Sequence, residues 1–272
     1  MTSEFEYITN PDASIVGPRG YALQPCEIER AVHRTRTIVN KLTHFEVNIF
    51  EILGMRNLSA FVGEVFAAAM ILEHPDLLRK NPHQDGYPDL LLMDADGARA
   101  WEALARRLRE KGPFSPFLTG GFEVKATCGS VPTPAQCLKR GFEKPGIGDQ
   151  RIQVATGYDW KAHHRETNHL FGIFWDFIEG CPTVAAVFYR GDLVEDDWGK
   201  IVQPKEGGGR TTSVSIMTRD GVKKMYEGWV TVINSDAYAS FFDRRNKEGL
   251  MLTAIKQLQP PNSGQGEFRS GA

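Results

Sequence analysis

Cysteine is scarce: four in 272 residues. Cys26, Cys128, Cys137 and Cys181 form no C-x-x-C pair and follow no regular spacing. That argues against a zinc cluster or a disulfide framework, and reduced thiols in a cytoplasm are the simpler expectation. Long apolar runs are missing as well. Nothing approaches the ~18 apolar residues of a membrane span; the run after Leu58 is broken by Ser59 and Glu64. The opening segment carries acids and lacks the apolar core of a signal peptide, so no membrane partner is expected. A surplus of one charge sign is absent too. Lys and Arg number 32 against 34 Asp and Glu, a net charge of -2, which gives no global attraction to a polyanion and leaves local clusters to decide. No internal repeat or low-complexity block occurs. The Gly207-Gly208-Gly209 stretch is not followed by G-K-[ST], so no nucleotide cofactor is expected.

What is present is the composition of a globular chain, 41% hydrophobic and 24% charged, long enough to bury a sizeable core as one domain. Apolar periodicity predicts helices over 27–52 and 57–73. Asn81 to Gly86 is rich in turn formers, and Asp89 to Met93 reads as a short apolar strand. Asp94-Ala-Asp96-Gly97 reads as a hairpin turn, and 101–111 as an exposed helix. Phe122 to Thr127 alternates like a strand, 128–148 reads as loop, and 150–165 as helix. Two strands over 170–178 and 183–189 are joined by a hairpin, and Ser235 is the expected N-cap of a helix reaching Arg245. The tail after Pro260 lacks an apolar face and is expected to be disordered. The order of elements suggests an α/β domain with a central mixed β-sheet flanked by helices. Its core would lie near 57–190, with an N-terminal helical elaboration over 1–56 and a C-terminal elaboration over 191–272.

Two acids stand out because each sits in an apolar, strand-like segment: Pro88-Asp89-Leu-Leu-Leu and Phe122-Glu123-Val-Lys125-Ala. A carboxylate there costs desolvation unless something pairs with it. Neighbouring strands lie ~4.8 Å apart, so acids on them can share a hard divalent cation. The period of two puts Glu123 and Lys125 on one face and turns Val124 into the core. Asp89 and Glu123, with the Val124 carbonyl, would hold Mg²⁺, and Lys125 would stabilise developing negative charge. A second acid-x-lysine triplet, Asp159-Trp160-Lys161, lies in the stretch read as helix, where i and i+2 do not face each other.

Gly86-Tyr-Pro-Asp89 followed by Glu123-Val-Lys125 resembles the PD-(D/E)XK nuclease superfamily, and in length most resembles a type II restriction endonuclease. The resemblance implies Mg²⁺-dependent hydrolysis of double-stranded DNA leaving 5′-phosphates, and a homodimer. By position Asp89 is the metal aspartate, Glu123 the second acid and Lys125 the catalytic lysine. Many members carry a glutamate on the preceding helix, and Glu64 fits; it is the only charged residue between Arg56 and Glu73. A helix apolar on all sides is normally buried, so this acid should have a partner.

Basic residues outnumber acids over 139–165 and 205–224. Candidate DNA contacts are Lys139 and Arg140 and, in the glycine-rich loop, Lys205, Arg210, Thr211, Thr212 and Ser213; the resemblance adds Gln153, at a distance after the lysine strand where members often carry a phosphate-contacting residue. His163-His164 read as exposed residues near phosphates, since adjacent helical side chains diverge by ~100° and chelate poorly. Other readings stay open: a structure-specific repair or recombination nuclease, a non-catalytic DNA-binding subunit of the same fold, or an unrelated metabolic enzyme.

Overall fold

The structure is a computed structural model that describes residues 6–42, 49–83, 85–203 and 213–258. Its first part runs through strands β1 (Tyr7–Thr9), β2 (Ile15–Val16) and β3 (Ala22–Leu23), then helices α1 (Pro25–Leu42), α2 (Ile49–Ile52) and α3 (Met55–Glu73). Strands β4 (Leu78–Lys80) and β5 (Leu90–Leu92) lead to α4 (Ala95–Leu104), β6 (Gly121–Thr127) and α5 (Pro134–Lys139). Next come β7 (Lys161–Ala162), β8 (Leu170–Ile178), β9 (Cys181–Arg190), β10 (Ser215–Ile216) and α6 (Arg219–Glu227). Strand β11 (Trp229–Ile233), α7 (Asp236–Asn246) and α8 (Leu250–Leu258) complete the described chain.

Among the described residues, seven strands form one sheet in the order β1-β11-β9-β8-β6-β5-β4. Only β6 and β8 pair in parallel; the other neighbours are antiparallel, so the sheet is mixed as expected. Strands β1 and β11 continue the sheet beyond 57–190 at both ends of the chain. The β8–β9 hairpin turns at Glu179 and Gly180, both at positive φ, 54° and 74°, the turn geometry that matches strand twist.

Alternation assigns the faces. Phe171 meets Phe66 of α3 at 6.0 Å between ring centroids, while Phe174 meets Phe241 and Phe242 of α7 on the other side. A Cβ on Gly63 of α3 would touch Ala126 and Val124, so α3 lies on the Val124 face and Glu123 and Lys125 belong to the opposite one. Among the described residues no helix is long and apolar enough to cross a membrane.

Several local expectations are corrected. Asp94 does not open a hairpin; its side chain accepts the Gly97 N–H at 2.8 Å as the N-cap of α4. The same short carboxylate chemistry serves turns and caps alike. Helix α4 therefore starts and ends earlier than 101–111, and Trp101, read as exposed, is half-buried against Phe114 at 6.0 Å. The 128–148 loop contains α5, capped by a Thr133–Gln136 box. Ser235 stands at the N-cap of α7 without a side-chain capping bond. The 150–165 stretch is not helical: buried Tyr158, Trp160 and Ala162 alternate with less buried Asp159, Lys161 and His163, a period of two that belongs to extended chain. The helix expected over 27–52 appears as α1 and α2, with 43–48 outside the described residues.

Candidate active site

The register of β5 and β6 pairs Leu91 with Gly121 and Leu90 with Phe122; one step further sets Asp89 opposite Glu123. There the ladder ends. The Asp89 N–H donates to Glu123 Oε2 at 3.1 Å, and the Pro88 carbonyl accepts from Asn81 Nδ2 at 2.9 Å instead of from Val124. Because Glu123 N–H faces β8, donating to the His169 carbonyl at 3.0 Å, the backbone groups of Val124 face the β5 side. Its N–H is satisfied by Asp89 Oδ2 at 2.9 Å. The Lys125 ammonium lies 3.3 Å from the same oxygen and also pairs with Glu123 Oε1. Two carboxylates and one amine thus converge as the residue pattern implied.

Their exposures differ in a way that matters. The Glu123 side chain is 7% exposed, whereas Lys125 and Asp89 are 23% and 34% exposed. Burial pushes the Glu123 carboxyl up to about 7, the negative charge of Asp89 adds to this, and Lys125 opposes both. Burial alone would depress the Lys125 ammonium, yet Glu123 and Asp89 outweigh it and hold its pKa above the ordinary value. Lys125 is therefore held as a cation between the two carboxylates.

Asn81 locks this corner and was not singled out from the sequence. Its side-chain amide donates to the carbonyls of Pro88 and Phe114, both at 2.9 Å, and its N–H to the Asp89 carbonyl at 2.9 Å. The Tyr87-Pro88 bond is cis, and Tyr87 Oη accepts the Asn168 N–H at 3.0 Å. The asparagine in a turn-rich loop resembles any turn former until the turn is folded, so sequence offered no signal.

Asp89, Val124 and Lys125 line a cleft of about 450 Å³ that also receives Glu64, Lys80, Lys161 and His163. Glu64 has its expected partner, Lys80, but as an exposed pair rather than a buried one, with side chains 56% and 62% exposed. Lys161 was set aside as helical and is corrected here: on extended chain it reaches the cleft. His163 enters with it, its ring Nδ1 3.1 Å from the Ser213 carbonyl, while His164 packs edge-on against Tyr87 at 6.0 Å.

The remaining candidates separate. Lys139 and Arg140 are exposed at the end of α5, and Gln153 is exposed in a turn; the cleft lining does not include them. Ser213 sits beside Val214, which does line the cleft, and its hydroxyl bonds Gln203. Lys205, Arg210, Thr211 and Thr212, like the tail after Pro260, lie outside the described residues.

The donor set suits Mg²⁺. Both contacts to Asp89 fall on Oδ2; Glu123 is a second hard oxygen donor, its two oxygens engaged by the Asp89 N–H and the Lys125 ammonium, and alternation turns the Val124 carbonyl to the β5 side. Among the described residues no cluster of three or more His, Cys, Asp or Glu forms, whereas Mg²⁺ keeps several waters and takes one or two carboxylates. Comparison with protein families, with curated proteins and with solved structures gives no match.

Proposed function

We propose that the chain is a Mg²⁺-dependent endonuclease of the PD-(D/E)XK kind that hydrolyses phosphodiester bonds of double-stranded DNA and leaves 5′-phosphates. The observation that supports this reading is the meeting of Asp89, Glu123 and Lys125 where the β5–β6 ladder ends, with Asp89 and Lys125 lining a cleft and Glu123 buried beside them. Asp89 and Glu123, with the Val124 carbonyl, would hold the ion. Bound Mg²⁺ supplies a Lewis acid for a phosphate oxygen and lowers the pKa of a coordinated water. Lys125, kept protonated by its two carboxylates, faces the place where negative charge grows on phosphorus and stabilises it there. Glu64, on the opposite side of the cleft floor, is the candidate for orienting the attacking water.

The finer reading is a sequence-specific, type II restriction enzyme acting as a homodimer, each protomer cutting one strand about a two-fold axis. Digestion of a plasmid of known sequence with Mg²⁺, followed by sequencing of the ends, tests it. Discrete fragments with 5′-phosphates support restriction, and smears or a preference for branched DNA point to a structure-specific repair or recombination nuclease. Tight duplex binding without cleavage in Mg²⁺ or Mn²⁺ would identify a non-catalytic DNA-binding subunit.

A further inference from the structure

On the Glu123 and Lys125 face of the sheet, Lys125 pairs in register with Gly172. Gly172 leaves the room a side chain would fill. A Cβ there would lie 2.7 Å from Trp160 Cε2 and 2.6 Å from Met225 Cε, so the indole of Trp160 packs directly on the backbone beside Lys125. Trp160 is fully buried, its Nε1 donates to the Ile173 carbonyl at 3.4 Å, and its carbonyl accepts the Met217 N–H at 3.0 Å. The next residues form β7, paired antiparallel with β10: Ile216 lies opposite Lys161 and Ser215 opposite Ala162. With Trp160 and Ala162 turned inward, the period of two sends Lys161 and His163 outward together, and both line the cleft that holds Asp89 and Lys125.

The lysines of this cleft are not equivalent. Lys80 pairs with Glu64, and Lys125 with Asp89 and Glu123. Lys161 has no carboxylate within ion-pair distance among the described residues. An ammonium engaged in no close ion pair, its charge felt by Asp159 two residues away, on a strand anchored by a buried tryptophan, is a positive charge available to a ligand without breaking a close pair. Neighbouring His163, tied through Nδ1 to the Ser213 carbonyl, holds the rim beside it.

We propose that the β7–β10 ribbon is the second jaw of the cleft and that Lys161 is its phosphate contact, positioning the backbone of the bound strand opposite the carboxylate wall. This rests on the nuclease reading and adds a residue that the acid and lysine pattern does not include. A phosphate-contacting lysine weakens binding evenly across sequences and contributes to the salt dependence. The test is fluorescence anisotropy with a short labelled duplex in EDTA, titrated between about 50 and 200 mM salt. Lys161→Ala is expected to bind more weakly and to flatten the slope of log K against log salt by about 0.9, the share of one phosphate. Lys161→Arg should restore the slope. Unfolding midpoints equal to wild type confirm that the exposed substitution leaves the fold intact. Superimposable lines for wild type and Lys161→Ala overturn the assignment while leaving the nuclease reading in place. A wild-type protein with no salt-sensitive duplex affinity overturns both.

Discussion

Asp89 Oδ2 accepts the backbone N–H of Val124 at 2.9 Å, so one carboxylate oxygen closes the end of a sheet ladder next to the proposed catalytic lysine. The residue proposed to hold the metal therefore also has a structural task, and its substitutions must be read with both in mind. Asp89→Asn retains an acceptor for the Val124 N–H, whereas Asp89→Ala strands that donor at a cost of about 1–3 kcal/mol. Both variants should lose Mg²⁺-dependent cleavage by at least the ~100-fold that losing an outer partner of a metal site costs. Only the alanine should show a lower urea midpoint. Cleavage by Asp89→Asn at the wild-type rate would remove this residue from the site.

Lys125→Ala leaves the buried Glu123 without its cation, while Lys125→Arg keeps the charge in a different shape. Cleavage should be abolished by the first in a plasmid assay, with duplex binding in EDTA largely retained. Measurable turnover in Lys125→Ala at the wild-type level would contradict a role for the ammonium in charge stabilisation.

Burial lifts the Glu123 carboxyl to about 7, from 4.5 in its ordinary state. A carboxyl with the higher pKa when folded binds its proton more readily in the native protein. Its contribution is therefore most favourable below the unfolded value and is lost as pH rises through the window from 4.5 to about 7. In metal-free protein, the stability difference between Glu123→Gln and wild type should shift in favour of the variant as pH is raised from about 5 to about 8. Urea denaturation in EDTA across that range measures it. A pH-independent difference would mean that Glu123 titrates normally.

Glu64 and Lys80 form an exposed pair in the cleft, and such pairs are worth roughly 0–1 kcal/mol. Glu64→Gln should leave the thermal midpoint almost unchanged. If Glu64 orients the attacking water, kcat falls by a factor on the order of 10–100 while duplex affinity holds. Wild-type kcat would make Glu64 only a surface partner of Lys80.

Asp176 is a buried carboxylate away from the cleft. It accepts the N–H groups of Arg151, Ile152 and Phe177 and the hydroxyl of Tyr238. Removing it orphans several buried donors at about 1–3 kcal/mol each. Asp176→Ala should lower the unfolding free energy by several kcal/mol, roughly the sum of two such donors or more, and chemical denaturation would show it. A loss below about 1 kcal/mol would mean that water replaces the carboxylate in this turn.

The amino-acid order alone determined the two carboxylates, the lysine at the same-face spacing, the helix that carries Glu64 and the β8–β9 hairpin. Each of these is a local signal: an acid inside an apolar alternation, a period of two or 3.6, a turn residue at positive φ. The tertiary structure decided what depends on distant partners. Asp94 became a helix cap because the chain at Leu92 leaves the sheet there, and Asn81 became a clamp only once Pro88 and Phe114 were brought to it. The 150–165 segment took an extended path because Gly172, on a strand that follows it in sequence, opens the slot for Trp160. That slot moved Lys161 from a triplet set aside as helical into the cleft. No periodicity within one segment encodes a contact whose other half lies elsewhere in the chain, and for this reason the second wall of the cleft was legible only in the folded protein.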